Sequence, residues 1–169
     1  MVSITESGVN FGDFSEHDLY KIENSQGHKS LGEGFKMVEF TYIHKNSLFV
    51  IEAKSSIPRA TNKDDYDKFW VEIFEKFENA LLLQLMGCLE RNDIVTQELP
   101  THHKKIQWNK ISIKLRLVIP NVPLEHLPPL TDSFREKIHK IKTLWKIPNE
   151  DIFVLNKAMA LKEKLITES

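Results

Sequence analysis

Residues 38–56 read VEFTYIHKNSLFVIEAKSS, and the order of apolar and polar residues in this segment decides the fold. Two runs rich in β-branched and aromatic residues, 35–43 and 48–55, flank the polar tetrapeptide 44–47. Such runs, separated by a short polar connection, are typical of a β-hairpin. The segment therefore predicts two antiparallel strands joined by a four-residue loop.

Charged residues interrupt the otherwise apolar second strand. Glu52 and Lys54 point to the same face, roughly 7 Å apart, because side chains alternate along a strand. With residues 44–47 as the loop, the register places Glu39 directly opposite Glu52. Cross-strand neighbours have Cβ atoms about 4.5–5.5 Å apart, and like charges there are destabilising. The facing carboxylates therefore require a counter-charge, which Lys54 or a divalent cation such as Mg²⁺ would supply.

The same pattern admits a second interpretation, in which both glutamates lie on a solvated sheet face and pair with lysines. The helix that follows the hairpin would then cover the opposite face, which carries Phe49, Ile51 and Ala53. Spacing alone is compatible with both interpretations.

Hydrophobic periodicity predicts the elements outside the hairpin. Apolar residues from Trp70 to Leu89 recur at spacings of three and four, which predicts a long amphipathic helix over 66–91. The other expected elements are a helix at 15–27, a polar loop at 92–107, a strand at 110–120, a helix at 131–146, a strand at 151–156 and a helix at 157–166. This order predicts an α/β fold, with a mixed central sheet flanked by helices, in one domain spanning 1–169.

Composition and charge limit the class of protein. With 41% hydrophobic and 28% charged residues, the chain is typical of a globular protein. It has no apolar run of about 18 residues, no signal-peptide pattern and one cysteine, Cys88, so we expect a cytoplasmic protein without transmembrane helices. Residues 1–100 hold 10 Lys or Arg against 17 Asp or Glu, whereas residues 101–169 hold 13 against 7. The basic part either faces an anionic partner or is an ordinary solvated surface.

The hairpin and its charged residues resemble the PD-(D/E)xK nuclease superfamily. There, one strand carries an acidic residue and the next carries the pattern (D/E)xK; here Glu39 precedes Glu52 by 13 positions, and Lys54 completes the pattern. The sequence departs from the common pattern in having Glu39 rather than Asp, and Val38 where proline often occurs. The resemblance is carried by residues 38–56 and implies a restriction-endonuclease-like core.

The resemblance also implies a role for each matching residue. Glu39 and Glu52 would bind Mg²⁺ or Mn²⁺ together with the backbone carbonyl of Ala53, and Lys54 would orient the attacking water. Members of this superfamily often add an acidic residue from an earlier helix. Glu23 or Glu16 would fill that place, with Glu23 preferred because it is nearer to the hairpin.

Residues outside the motif are further candidates, each with an ordinary structural alternative. Contacts to nucleic-acid phosphates are expected from Ser55, Ser56, Arg59 and Lys63, unless this segment is a plain surface loop. Gln84 would reach the site from the long helix, or is an ordinary polar helix position. The HHKK segment at 102–105 is expected to be a solvated loop, and Cys88 a packed helix residue rather than a nucleophile.

Together these features predict an Mg²⁺-dependent nuclease that hydrolyses phosphodiester bonds, with DNA favoured over RNA as the substrate. The alternative is an inactive nuclease-like domain that binds nucleic acid or assembles with other subunits. A third interpretation is a structural α/β domain with surface glutamates. Because the chain is short for an enzyme that also reads sequence, we expect a homodimer or a protein partner to supply any specificity.

Overall fold

The computed structural model describes residues 1–168, which fold around a five-stranded sheet and a separate two-stranded hairpin. The hairpin consists of β1 (Val2–Glu6) and β2 (Val9–Phe14). The sheet consists of β3 (Leu19–Tyr20), β4 (Phe40–His44), β5 (Ser47–Ala53), β6 (Ser112–Val118) and β7 (Ile152–Leu155), side by side in that order. The pairs β3–β4 and β4–β5 are antiparallel, and the pairs β5–β6 and β6–β7 are parallel. This mixed sheet, with its helices, confirms the predicted α/β class.

The α-helices of the described residues include the long helix that the sequence predicts. They are α1 (Gln26–Ser30), α2 (Lys63–Cys88), α3 (Asp93–Glu98), α4 (Leu127–Lys137), α5 (His139–Leu144) and α6 (Lys157–Lys162). Asp64 and Asp65 lie in the first turn of α2, where negative charge favours the helix. Glu90, at φ +58°, turns the chain away after α2 ends.

The β4–β5 hairpin keeps the predicted register with a shorter loop. Phe40 pairs with Ile51, as expected, but each strand extends one residue further into the connection, so the loop contains only residues 45–46. The first strand begins at Phe40 rather than at residue 35 as predicted. Extending this register by one pair places Glu39 opposite Glu52 at the open end of the hairpin. The prediction that the two carboxylates face each other therefore rests on the observed ladder.

The face of the sheet that carries Glu52 lies beneath α2. Leu48 and Val50, four and two residues before Glu52 on the same face, share a core with Ile73 and Phe77 of α2. The opposite face, which carries Ile51 and Ala53, packs with residues of β2 and α6 in a second core. The alternative interpretation, in which the helix covers the opposite face and leaves the face of Glu52 to solvent, is therefore wrong.

Residues 15–27 do not form the predicted helix. Leu19 and Tyr20 form the edge strand β3, because both side chains are buried and their backbones pair with β4. Strand pairing outweighs the local helix signals of Ser15 and Gly27. The β1–β2 hairpin was not predicted, although Val2 and Ile4 alternate with polar residues there.

Two predictions in the second half of the chain also need correction. The segment 92–107 is not a polar loop, because Asn92 caps α3 by accepting a hydrogen bond from the Val95 amide, and His103 is buried. The helix expected at 131–146 begins at Leu127 and is divided into α4 and α5 at Ile138, whose φ of −99° and ψ of 20° leave the helical region.

No helix of residues 1–168 is long and apolar enough to cross a membrane.

Candidate functional site

Glu52 is the centre of a buried charge cluster. Its side chain is 0% exposed, and its Oε1 atom lies 2.8 Å from Lys76 Nζ and 3.8 Å from Lys54 Nζ. Its Oε2 atom is buried without a hydrogen-bond partner among the described residues. A buried carboxylate oxygen without a donor is costly, so Glu52 is held in an electrostatically unfavourable place.

Lys76 reaches Glu52 from α2 and was missed in the sequence. The Lys76 side chain is 9% exposed, donates to Glu52, and lies 3.7 Å from Glu23 Oε1. A signal for it existed, because on a helix Lys76 falls within the same face as Ile73, Phe77 and Ala80, which are buried. A lysine in the middle of a buried helical face requires an acidic partner.

Glu39 and Glu23 bring two further carboxylates to the cluster. Glu39 is half-buried immediately before β4, opposite Glu52 in the extended register. It shares a hydrogen bond with the Glu23 carboxyl and experiences the negative charge of Glu52. Glu16, the alternative to Glu23, is an exposed residue.

The crowding of carboxylates shifts their acidities. Burial raises the pKa of Glu39 to about 9, with further contributions from the hydrogen bond to Glu23 and the charge of Glu52. Burial also raises the pKa of Glu52 to about 7, although the positive charges of Lys76 and Lys54 act in the opposite direction. Both shifts therefore favour the neutral acid, more strongly for Glu39 than for Glu52.

The Lys76–Glu52 pair combines two opposing tendencies. Burial disfavours the ammonium of Lys76, but the carboxylates of Glu52 and Glu23 outweigh it and raise the Lys76 pKa above its ordinary value. The raised pKa of Glu52 favours the neutral acid, whereas that of Lys76 favours the charged pair. The direct 2.8 Å contact supports the charged pair above neutral pH, because an adjacent ammonium stabilises the carboxylate.

Lys54 connects the cluster to the surface. Its side chain is 26% exposed, and its Nζ atom lies 2.6 Å from Glu72 Oε1, which belongs to α2. Glu72 in turn lies 3.5 Å from Lys36. Burial opposes ionisation of Glu72, but the hydrogen bond from Lys54 and the charges of both lysines outweigh it and lower the Glu72 pKa. Lys54 is thus held at the rim of the cluster, between a buried and a half-exposed carboxylate.

The remaining predicted residues lie in two other environments. The exposed ones follow β5 or open α2, and they are Ser55, Ser56, Arg59 and Lys63. Ala53 ends β5, and a role for its carbonyl stays a prediction. Gln84 is buried, its Oε1 accepts from Thr41, and its Nε2 lies 2.7 Å from His103 Nδ1. Both ends of the Gln84 amide are therefore occupied within the protein, and the structure does not bring it to a ligand.

The carboxylates fit a hard divalent cation as a pair rather than as a ready-made cage. Within residues 1–168, no group of three or more His, Cys, Asp or Glu side chains is gathered so that it would hold a metal ion. Mg²⁺ commonly uses one or two carboxylates and takes its other ligands from water and substrate phosphate. The partnerless Oε2 of Glu52 and the crowded carboxyl of Glu39 are oxygen donors of the kind required.

Comparison of the chain with protein-family models, curated proteins and solved structures finds no match.

Proposed function

We propose that the chain is a metal-dependent nuclease of the PD-(D/E)xK type, with a restriction-endonuclease-like core, that hydrolyses phosphodiester bonds in DNA rather than RNA. The observation that supports it is the buried carboxylate of Glu52, whose Oε2 lacks a partner among the described residues and whose charge raises the pKa of the nearby Glu39 carboxyl. A divalent cation bound by both would satisfy that oxygen and stabilise the ionised form of Glu39.

Glu39 and Glu52 would hold Mg²⁺ or Mn²⁺, with the Ala53 carbonyl as a further ligand. The bound ion would lower the pKa of a coordinated water and neutralise phosphoryl oxygens. Glu39 would give up its proton on binding, since metal ligands must be deprotonated. Binding is therefore expected to be stronger at pH 8 than at pH 6.

Lys54 and Lys76 would have different roles in the site. Lys54, at the exposed rim, would orient the attacking water and stabilise negative charge on the phosphate. Lys76, buried behind Glu52, would fix the orientation of that carboxylate. The exposed residues Ser55, Ser56, Arg59 and Lys63 would contact neighbouring phosphates.

The proposal also covers the partners of the protein and its location in the cell. We propose that a homodimer or a protein partner supplies any sequence specificity, and a monomer that cuts one defined sequence would contradict this. The single cysteine, Cys88, agrees with the reducing cytoplasm as the site of action.

The test compares the wild-type protein with Lys54→Ala on labelled single- and double-stranded DNA and RNA, with Mg²⁺, with Mn²⁺ and with chelator. We expect metal-dependent cleavage that Lys54→Ala lowers by about 100-fold or more, the usual cost of losing a transition-state contact. Lys114→Ala is the matched control, because Lys114 is 27% exposed and lies 2.7 Å from Asp151. Cleavage that survives chelation, or equal loss in both variants, would contradict the proposal.

A second candidate, a nuclease-like domain without activity that binds nucleic acid or assembles with other subunits, is favoured by the position of Lys76. Its ammonium already compensates the charge of Glu52 and lies 3.7 Å from Glu23. Calorimetric titration of the wild-type protein and Glu52→Gln with MnCl₂ at pH 8 separates the two. Saturable binding that Glu52→Gln abolishes supports the nuclease, whereas binding of DNA without binding of Mn²⁺ supports the second candidate.

A further inference from the structure

A polar pocket of about 450 Å³ opens at the end of the sheet away from the carboxylate cluster. It lies beside the β4–β5 loop, and its walls include Asp18, Lys45, Asn46, His102, Lys105 and Gln107. Glu52 is five residues along β5 from Ser47, so the two sites are roughly 17 Å apart along the strand. The pocket therefore belongs to a different part of the surface and is independent of the proposed nuclease site.

His102 is held in one orientation at the pocket wall. Its Nδ1 atom lies 2.6 Å from Asp18 Oδ1, and a carboxylate only accepts, so Nδ1 carries the proton. The other ring nitrogen, Nε2, is left free of this contact on a side chain that is 52% exposed. The contact therefore engages the Asp18 carboxylate at the pocket wall.

The wall that carries His102 and Asp18 is preformed by buried hydrogen bonds. The backbone carbonyl of Asp18 accepts from the Ile43 amide at 2.9 Å and from His103 Nε2 at 2.6 Å. His103 Nδ1 accepts from the buried amide of Gln84. Burial lowers the pKa of His103 to about 4, so this ring is neutral, and its hydrogen bonds hold the Asp18 backbone in place. The part of the wall formed by Asp18 and His102 is thus positioned before any ligand arrives.

Two lysines face the same pocket without acidic partners. Within residues 1–168, neither Lys45 nor Lys105 forms an ion pair. Among the pocket-lining residues of the described chain, Asp18 alone carries a carboxylate, and it is engaged by His102. Lys45 also occupies a left-handed turn position, at φ +54°, where Asn or Gly would be less strained. The pocket therefore carries an excess of positive charge.

We propose that this pocket is a binding site for an oxyanion of the phosphate class. Lys45 and Lys105 would supply positive charge, and their ammonium groups would donate hydrogen bonds to the phosphate oxygens. The side-chain amides of Asn46 and Gln107 line the same space and add donors. The anion would be either free phosphate or a phosphate group of a nucleic acid, since both present the same oxygens.

The test is calorimetric titration with inorganic phosphate, in the presence of chelator and at ionic strength matched with chloride. Lys45→Gly removes an ammonium while relieving the left-handed turn position, so it is expected to fold. Lys105→Ala removes the second ammonium, and Lys104→Ala is its control, because Lys104 is an exposed neighbour that does not line the pocket. We expect Lys45→Gly and Lys105→Ala each to weaken phosphate binding about threefold to tenfold, with Lys104→Ala unchanged.

A second arm of the experiment identifies the source of the phosphate. The same variants are titrated with a single-stranded oligonucleotide, with and without a 5′-phosphate, again in chelator. An equal weakening of oligonucleotide binding assigns the pocket to a nucleic-acid phosphate, and an effect confined to inorganic phosphate assigns it to a free anion. Equal phosphate binding by all three variants and the wild-type protein, or no binding beyond the chloride control, would overturn the proposal. Because no divalent metal is present, the result does not depend on nuclease activity.

Discussion

Lys76 Nζ lies 2.8 Å from Glu52 Oε1 and joins helix α2 to strand β5 through a contact that is almost closed to water. The two side chains are 9% and 0% exposed. A buried ion pair contributes little net stability, because desolvation offsets the attraction between the charges. Loss of one partner is different, since the other charge is then left buried and unpaired.

Lys76→Met is therefore expected to destabilise the protein in a pH-dependent way. At pH 8 the free energy of unfolding should fall by about 3 kcal/mol, the usual cost of breaking a buried pair. At pH 5.5 the loss should be smaller, because Glu52, with its pKa raised to about 7, is then mostly neutral. Urea unfolding followed by circular dichroism at both pH values measures the difference.

Two controls accompany the Lys76 variant. Lys114→Met removes a paired but 27% exposed lysine and should cost no more than about 1 kcal/mol at either pH. Addition of Glu52→Gln to Lys76→Met should recover much of the loss at pH 8, since the unpaired charge is then absent. Equal losses for Lys76→Met at pH 5.5 and pH 8 would show that packing, rather than charge, explains its effect.

The hairpin could be predicted from the sequence, because its alternation fixes which residues face each other. A shift of one residue would place every apolar side chain on the wrong face, so the register that opposes Glu39 and Glu52 is strongly specified. The burial of Lys76 could also be predicted, since helical spacing places it among Ile73, Phe77 and Ala80. The spacing does not identify the acidic partner of Lys76, because that partner depends on how α2 crosses the sheet.

Long-range contacts explain the parts of the fold that were missed. His103 is buried because its ring bridges Gln84 and the carbonyl of Asp18, which is 85 positions away. No local pattern in the HHKK segment carries that information. The edge strand at Leu19 and Tyr20 is similar, because its two residues are defined by pairing with β4 rather than by periodicity.

Glu39→Gln is expected to stabilise the metal-free protein at alkaline pH. The pKa of Glu39 is raised from 4.5 to about 9. The stability that the protonated Glu39 contributes is therefore fully present below pH 4.5 and is lost as the pH rises through 9. Wild-type stability should therefore fall between pH 7 and pH 9.5, and the fall should be smaller in the variant. Because Glu39 is half-exposed, we expect a gain on the order of 1 kcal/mol at pH 9.5, measured by urea unfolding. An unchanged slope would contradict the shift.

His103→Gln probes the buried histidine from the acid side. Burial lowers the pKa of His103 from 6.5 to about 4. The stability that the neutral His103 contributes is therefore fully present above pH 6.5 and is lost as the pH falls through 4. The variant removes a buried ring and should be less stable at pH 7. The gap between wild-type and variant should shrink by about 2–3 kcal/mol between pH 7 and pH 3.5, measured by urea unfolding at each pH. A gap independent of pH would mean that His103 acts only through packing.

Divalent cations should stabilise the wild-type protein through Glu39 and Glu52. At pH 8 and a concentration 100 times the dissociation constant, Mg²⁺ or Mn²⁺ would add about 2.7 kcal/mol, which raises Tm by roughly 5–10 °C. Chelator should reverse the shift, and pH 6 should reduce it, because Glu39 must release its proton before it binds. Thermal unfolding at matched ionic strength measures these changes.

Glu39→Gln and Glu52→Gln should each abolish the cation-dependent rise in Tm. Glu163→Gln is the control, because Glu163 is a half-buried carboxylate that pairs with Arg116 at 2.7 Å, away from the cluster. Its own Tm will differ from that of the wild-type protein, but the added cation should raise both by the same amount. A rise that persists in Glu39→Gln and Glu52→Gln would place the cation elsewhere and remove the main support for the nuclease proposal.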